Sequence, residues 1–246
     1  MKTKKEDGKK RGEFLENDVV EETSLCEENS EMDEENTEGP LDEDFGDEGK
    51  SKGPAQDFLQ EVFMRAPKKV YKGTLTENKV YVWNKQDAEE IYDLGCFGKV
   101  IEEKNELSLE EALLLSKRNK LKIMKDDKEL SPEEVYQYAS SIDKEFPWKY
   151  AVFEDLRSRG LLVRTGFKFG THFRVYARGV KLKRGPKSVK EHTKWIVHAI
   201  PENYTCSFPE LSRAVRLAHN IRAKMLWALV DEEGDVTYYE VLRKTP

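Results

Sequence analysis

A long acidic run near the start of the chain limits what the rest of it can fold into. Between Glu13 and Glu48 there are 17 Asp or Glu residues and no Lys or Arg. Such a segment cannot bury enough apolar surface to offset the entropy that is lost on ordering. The composition therefore predicts a disordered acidic tail over residues 1–56, so a folded core has to come from residues 57–246.

Charge is distributed unevenly along the chain, whose formal net charge is −6 at pH 7. Residues 1–52 carry 8 basic and 19 acidic groups, whereas residues 146–246 carry 19 basic and 10 acidic groups. A C-terminal part with a net charge of +9 is typical of a surface that binds a polyanion. On charge alone, a solvated basic surface without a nucleic-acid partner is the alternative.

The cysteines and the hydropathy pattern bear on the compartment. Cys26, Cys96 and Cys206 are odd in number and far apart, which fits a reducing compartment and neither a disulfide framework nor a metal site. The sequence has no run of 18 apolar residues and no signal-peptide core. We therefore expect a cytoplasmic protein with no membrane partner and no metal.

Periodicity and helix signals predict that the first folded unit, residues 57–145, mixes helices and strands. Lys79–Trp83 alternates as a strand does. Ser108 and Ser131 each precede a Glu by three residues, which is the spacing of a capping box at the start of a helix. Nothing in this unit points to chemistry, so we expect a structural or RNA-supporting domain.

The second unit, residues 146–246, also alternates between the two kinds of element. A helical pattern that stops near Gly160 precedes a predicted strand over Leu161–Thr165, and further strands are expected around Tyr176 and His192. A third capping box, at Ser207–Glu210, starts a helix. Two apolar strands follow, at Met225–Val230 and Val236–Leu242, and residues 231–235 form an acidic turn between them. The expected fold class is mixed α/β (α+β), with a small N-terminal α/β domain and a C-terminal mixed-sheet domain.

The residues suited to chemistry lie between Gly166 and Lys224, where all four histidines occur. RNA carries its own nucleophile, the 2′-hydroxyl, so its cleavage needs a base, an acid and a cation for the charge that develops on phosphorus. A Tyr, a His and a Lys could supply these groups without a metal. On the residues alone, a strand Tyr or a lone His is more often a packing or surface group than a catalyst.

Several motifs in this stretch resemble those of the tRNA-splicing endonuclease family, in its archaeal branch. They are Phe167-Lys-Phe-Gly170, His172-Phe-Arg-Val-Tyr176, the Glu191-His192 pair, and the helix end at 215–222 before an apolar strand and an acidic turn. The motifs occur in the family's order. The resemblance covers residues 57–246, is most specific from Leu161 onward, and implies that the C-terminal domain is the catalytic endonuclease domain.

The resemblance implies a role for each of three residues. Tyr176 corresponds to the family's general base, His192 to its general acid, and Lys224 to the Lys that stabilises the transition state. Ala223 departs from the pattern, because family members often have that Lys directly after the Arg that matches Arg222. A one-residue slip between helix and strand would bring Lys224 into place.

Other residues have expected roles as well. His172 would share a strand face with Tyr176 and is the substitute acid, whereas His198 and His219 are expected to be packing or surface residues. Arg216 matches a helix Arg that in archaeal relatives helps to hold a flipped bulge base, which fits the way unpaired RNA is read.

The family resemblance also implies assembly and substrate. The acidic turn, formed by Asp231, Glu232, Glu233 and Asp235, would insert into a basic cleft of another subunit of a homotetramer, although charge patterning alone fits a solvated hairpin equally well. The expected function is a tRNA-intron lyase that needs no cofactor, cuts both bulges of a bulge-helix-bulge in precursor tRNA, and leaves 2′,3′-cyclic phosphate and 5′-hydroxyl ends. The alternative is a non-catalytic structural subunit of such an enzyme.

Overall fold

The computed structural model describes residues 69–180, 182 and 192–244. The predicted acidic tail and most of the basic loop after Val180 lie outside the described residues. The described part of the chain contains two mixed β-sheets and five α-helices, and the two units that carry these sheets pack together as one compact body. The mixed α/β class predicted from the sequence is confirmed.

The first sheet has six strands in the order β3-β4-β2-β1-β5-β6. Only the β1–β5 pair is parallel among these described strands. The strands are β1 (Tyr71–Thr76), β2 (Lys79–Val82), β3 (Lys99–Ile101), β4 (Lys104–Ser108), β5 (Leu121–Lys125) and β6 (Lys128–Leu130). Alternate residues of β2 and β4, such as Val80, Val82 and Leu107, are buried on one face. That face carries the core of this unit.

Three helices accompany this sheet, namely α1 (Lys85–Gly95), α2 (Leu109–Lys117) and α3 (Pro132–Ile142). Both predicted capping boxes form, because Ser108 and Ser131 each accept the amide of the third helical residue, whose Glu side chain returns to the cap. The buried side chain of Asn105 donates to the carbonyl oxygens of Ala88 and Phe97, at 3.0 and 3.1 Å. It thereby fixes α1 and the loop after it against β4.

The second sheet has five strands in the order β11-β10-β9-β8-β7. They are β7 (Leu162–Thr165), β8 (Phe173–Tyr176), β9 (Trp195–Pro201), β10 (Lys224–Val230) and β11 (Val236–Val241). Strands β9 and β10 run parallel, and the other neighbours are antiparallel. Helix α4 (Phe146–Ser158) packs on one face, where Phe153 contacts Phe173, and α5 (Phe208–Asn220) packs on the other through Ala214 and Ala218.

Two sequence predictions about this sheet need correction. Strand β9 begins at Trp195, so His192 precedes the strand instead of lying on it. The third capping box forms only in part: Ser207 accepts the Glu210 amide, but the Glu210 carboxylate accepts a hydrogen bond from the Tyr204 hydroxyl. Tyr204 lies outside the helix, and its hydroxyl takes the Glu210 carboxylate that would otherwise accept the backbone amide of Ser207.

Two arginines of the second unit connect it to the first. Arg157 is buried, donates to Gly95 O and Val163 O at 2.9 and 3.1 Å, and its guanidinium carbon lies 4.3 Å from the centre of the Phe97 ring. Arg164 donates to Cys96 O at 2.7 Å and also to Gly98 O. The loop after α1 is therefore fixed against the edge of the second sheet.

Candidate active site

Three chain segments that carry predicted site residues meet at one end of the second sheet. The Lys194 amide donates to Val175 O at 2.9 Å, and the Lys224 amide donates to Lys194 O at 2.9 Å. The end of β8, the approach to β9 and the start of β10 are thus adjacent. The fold brings together the backbone segments of Tyr176, His192 and Lys224.

Tyr176 is fully buried at this end of the sheet. Its side chain packs with Leu162 of β7 and with Cys96 from the loop after α1. Half-buried residues, namely Tyr92, Val180 and Leu182, complete this small cluster. Among the described residues the Tyr176 hydroxyl has no hydrogen-bond partner, and a buried polar group of this kind costs free energy of folding. Such a cost is often found at functional sites.

His192 differs from Tyr176 because it is exposed to solvent. It lies three residues before β9, at the approach to the strand. An exposed imidazole near the sheet end can meet a bound substrate without rearrangement of the core, as a general acid has to do.

Lys224 lies on the opposite face of the sheet from Tyr176. The pairings Val175 with Trp195 and Trp195 with Lys224 place these three residues on one face, and Tyr176 follows Val175 directly. The Lys224 ammonium also forms an ion pair with Glu240 of β11, at 3.4 Å. In this arrangement the sequence-predicted cation and base are not brought together.

Ala223, the residue predicted to depart from the family pattern, lies on the opposite face of the chain from Lys224. It packs with the α5 cluster that contains Ile196, Ala218 and Met225, on the sheet face that Tyr176 shares. A Lys at this position would start on the face that carries Tyr176, the predicted base. Ala223 thus lies on the Tyr176 face of the sheet, whereas Lys224 lies on the opposite face.

Two other basic residues lie near Tyr176 and were given no role from the sequence. Arg174 precedes Tyr176 by two residues and shares its face. Lys194 is next to Trp195, and its ammonium lies 4.6 Å from the centre of that indole ring. The alternation within each strand indicated which residues share a face of that strand. Only the pairing of the strands shows which of these faces lie on the same side of the sheet.

His172, the substitute acid, lies just before β8 in a half-buried environment. Its Nδ1 accepts the Ala199 amide at 2.9 Å, and its ring meets that of His198 edge to face with centroids 5.4 Å apart. Burial, with the neighbouring charge of Lys149, lowers the pKa of His172 to about 4. A neutral imidazole with an occupied Nδ1 is poorly suited to donate a proton as an acid at pH 7.

Arg216 is exposed on α5 and faces a groove between this helix and the end of β11. The groove is lined in part by Phe208, Leu242 and Arg243, of which Phe208 is 87% exposed. A guanidinium beside exposed apolar groups fits the expected contact with an unpaired base.

The acidic turn is a tight hairpin tip between β10 and β11. The Asp231 carboxylate accepts the amides of Glu233 and Asp235 at 3.0 and 2.9 Å, and Gly234 adopts a φ of +90°. The side chains of Glu232, Glu233 and Asp235 are exposed. Asp231 therefore shapes the turn, and the other three carboxylates point their charge toward solvent or a partner.

Within the described ranges, His, Cys, Asp and Glu do not gather in groups of three or more that could hold a metal ion. No helix in the same part of the chain has the length and apolar character needed to cross a membrane.

Comparison with known proteins places both parts of the fold. Residues 146–238 match the catalytic C-terminal domain of tRNA intron endonuclease, and residues 71–136 match the N-terminal domain of the same protein. These matches put the chain in the class of RNA-processing endonucleases.

Similarity to individual proteins narrows the class to a family. The chain is 40% identical over 167 residues to the tRNA-splicing endonuclease of Thermococcus kodakarensis. The matched region covers 68% of this chain and 94% of that protein. The chain is 39% identical over 169 residues to the tRNA-splicing endonuclease of Methanothermobacter thermautotrophicus, covering 69% and 95%. The chain belongs to the tRNA intron endonuclease family.

Proposed function

We propose that this chain excises introns from precursor tRNA by cutting the RNA at both splice sites. The observation that carries the proposal is the match of both domains to one family, together with relatives named tRNA-splicing endonuclease that the chain covers almost completely. The substrate element is a bulge-helix-bulge, and the products carry 2′,3′-cyclic phosphate and 5′-hydroxyl ends. The excess of basic residues in the C-terminal part supports RNA as the substrate.

In the proposed mechanism Tyr176 takes the proton of the 2′-hydroxyl, and His192 protonates the leaving 5′-oxygen. Arg174 lies on the same face of the sheet as Tyr176, so a positive charge stands on the face of the proposed base. Because Tyr176 is buried, the packing of Val180 and Leu182 over it must open when RNA binds. No metal takes part in these proton transfers.

Lys224 is the proposed cation for the charge that develops on phosphorus. To reach the Tyr176 face it has to leave its ion pair with Glu240, and the junction of α5 and β10 has to shift by one residue. Arg222 at this junction has a φ of +54°, in the left-handed region that residues other than Gly rarely adopt. A left-handed residue is common directly after a helix, and here the Ala223 amide donates to Ala218 O at 2.9 Å. The shift would relieve this torsion and would break that hydrogen bond.

The second candidate function is a non-catalytic structural subunit of a tRNA-splicing endonuclease. It is favoured by one specific observation: Ala223 stands on the Tyr176 face, and Lys224 points away from it. A chain that had lost its transition-state cation could keep the fold and the assembly surfaces while another subunit performs the cleavage.

One experiment separates the two functions. The purified full chain, without any partner, is incubated with an intron-containing precursor tRNA in EDTA, and the ends of the products are identified. Cleavage to cyclic phosphate ends by the single chain supports the enzyme and excludes the purely structural subunit. Loss of activity in EDTA with rescue by magnesium would refute the metal-independent mechanism.

A pair of His variants tests the acid in the same assay. His192→Ala should lower the single-turnover rate by about 10²- to 10⁴-fold, the usual contribution of a general acid, and leave RNA affinity nearly unchanged. His219→Ala is the matched control, because His219 is also exposed but lies on α5. Equal rates for both variants would move the acid to another residue.

A further inference from the structure

The first sheet has one face that remains open to solvent in the described part of the chain. Along β2, Val80 and Val82 point into the core, so Lys79 and Tyr81 point to the other face, and Trp83 follows directly after the strand on that side. Trp83 is 58% exposed. A single exposed apolar residue is ordinary on a protein surface, so Trp83 is informative only together with the residues around it.

Trp83 does not stand alone on this face. Its ring stacks with that of Tyr81, with centroids 5.4 Å apart and an angle of 23° between the planes. The Lys104 ammonium of β4 lies 5.0 Å from the centre of the Tyr81 ring and 5.3 Å from that of Trp83. The result is a flat pair of aromatic rings with a cation beside both of them.

The same face carries an excess of positive charge. The pairing of Tyr81 with Glu106, and of Glu106 with Lys99, places further residues beside the aromatic pair. On this face are the basic residues Lys72, Lys79, Lys99 and Lys104, and Glu106 is paired with Lys79 at 3.3 Å. Lys122 of β5 and Glu129 of β6 also lie on this face and form an ion pair at 3.1 Å. The strand residues of the face therefore include five lysines and two glutamates, which leaves an excess of positive charge.

We propose that this open face binds unpaired nucleotides of RNA, with a base stacked on Trp83 and phosphates near the surrounding lysines. Single-stranded RNA is bound in this way by sheets with exposed aromatic residues, because every base has a flat face and the backbone is a polyanion. The identity of this RNA as precursor tRNA rests on the function proposed above. The N-terminal domain then holds part of the substrate, while the second sheet performs the cleavage.

Binding of a non-cleavable RNA tests the proposal without reference to catalysis. The probe is a short fluorescein-labelled 2′-O-methyl oligouridylate, which has no free 2′-hydroxyl and cannot be cut by the proposed mechanism. Its affinity for the full chain is measured by fluorescence anisotropy at fixed salt. Trp83→Ala should weaken binding by about 5- to 150-fold, the range found for loss of one base–aromatic stack, and Trp83→Phe should retain most of the affinity.

Matched variants and a second ligand identify the interaction. Lys104→Ala should weaken binding and reduce its salt dependence, whereas Lys128→Ala, which removes an exposed Lys at β6, should have little effect. A duplex RNA of the same length should bind Trp83→Ala as it binds the unchanged chain. Circular dichroism of each variant shows whether the fold is kept.

Two results would overturn the proposal. Equal affinity of the unchanged chain, Trp83→Ala and Lys104→Ala for the oligouridylate would show that the face does not bind RNA. A change of oligomeric mass in Trp83→Ala, measured by light scattering and without a change in RNA affinity, would show that the face is an interface between copies. If Trp83 variants lose binding but the unchanged chain does not cleave precursor tRNA, this inference stands and the proposed catalysis fails.

Discussion

The Tyr176 hydroxyl is a buried polar group that has no partner in the described part of the chain. Tyr176→Phe removes only this oxygen, so the free energy of unfolding should stay constant or rise by up to about 1 kcal/mol. The cleavage rate should nevertheless fall by about 10²-fold or more if this oxygen is the base. Urea denaturation and single-turnover cleavage of the same sample provide the two measurements.

The opposite pattern would be informative at this position. A clear loss of stability in Tyr176→Phe would mean that the hydroxyl has a stabilising partner, and an unchanged cleavage rate would assign the base elsewhere. Functional residues are often kept although they lower the stability of the fold, so a destabilising hydroxyl that supports catalysis fits this pattern.

His172 makes stability depend on pH in a direction that follows from its pKa. Its pKa is lowered to about 4 in the folded chain, below the reference value near 6.5 that applies when unfolded. The unfolded chain therefore binds the proton first as the pH falls, and the folded state loses stability from about pH 6.5 down toward pH 4. On going from pH 7 to pH 5, this residue should lower the free energy of unfolding by about 1 to 2 kcal/mol.

His172→Asn isolates the contribution, because the Asn oxygen can accept the Ala199 amide but does not titrate. Urea unfolding of both proteins at pH 7 and pH 5 should show that the free energy of unfolding falls less in the variant than in the unchanged chain. The neighbouring His198, whose pKa burial also lowers, accounts for part of the slope that remains. Identical slopes in the two proteins would contradict this assignment.

At the scale of elements, the junction between α5 and β10 decides which residue lies on the Tyr176 face of the sheet. If Lys224 crosses to the Tyr176 face when RNA binds, Lys224→Ala should lower the chemical step by about 10²- to 10³-fold and leave affinity unchanged. Adding Ala223→Lys to that variant should restore much of the rate, because residue 223 starts on the correct face. Single-turnover rates at saturating enzyme measure both effects.

A full rate in Lys224→Ala would assign the cation to another residue. Weaker binding with a full rate at saturation would make Lys224 a phosphate contact only. Failure of the double variant to recover would show that a Lys on the Tyr176 face is insufficient.

At the scale of the whole molecule, the acidic turn is the predicted contact between subunits. Replacing Glu232, Glu233 and Asp235 by their amides should remove the charge that guides docking into a basic cleft, while Asp231 continues to accept the amides that shape the turn. The oligomeric mass should fall while the folded signal persists, and paired cleavage of the two splice sites should be lost. Light scattering, circular dichroism and the cleavage assay test these results.

Asp231→Asn alone is the control for the turn's own structure. An unchanged mass in the triple variant would refute the docking role. Unfolding of the triple variant would assign the three exposed carboxylates to the stability of the subunit.

The acidic N-terminal segment is predicted to be dispensable for folding and cleavage. Residues 1–52 carry a net charge of −11, so deleting them should strengthen RNA binding by removing a tethered polyanion, and the gain should shrink as salt is added. Anisotropy titrations of both chains at two salt concentrations measure this effect. A shortened chain that no longer folds or cleaves would contradict the prediction.

Features that depend on neighbouring residues were determined by the sequence alone. The capping boxes at Ser108 and Ser131 form as predicted because the cap and its Glu partner lie within one helical turn. The alternation in β8 likewise placed Arg174 and Tyr176 opposite Val175. The mixed α/β class followed from such local signals, and the motifs near Tyr176 and His192 identified the family that the comparisons then established.

The pairing of strands was decided only by the tertiary structure. Adjacent residues on a strand point to opposite faces, so a one-residue difference in register decides whether Ala223 or Lys224 lies on the Tyr176 face of the sheet. The burial of Tyr176 depends on Cys96, and the cation beside Tyr81 and Trp83 comes from Lys104; each of these contacts joins separate elements. Local sequence patterns define the elements and their faces, but contacts between distant segments depend on how the whole chain packs.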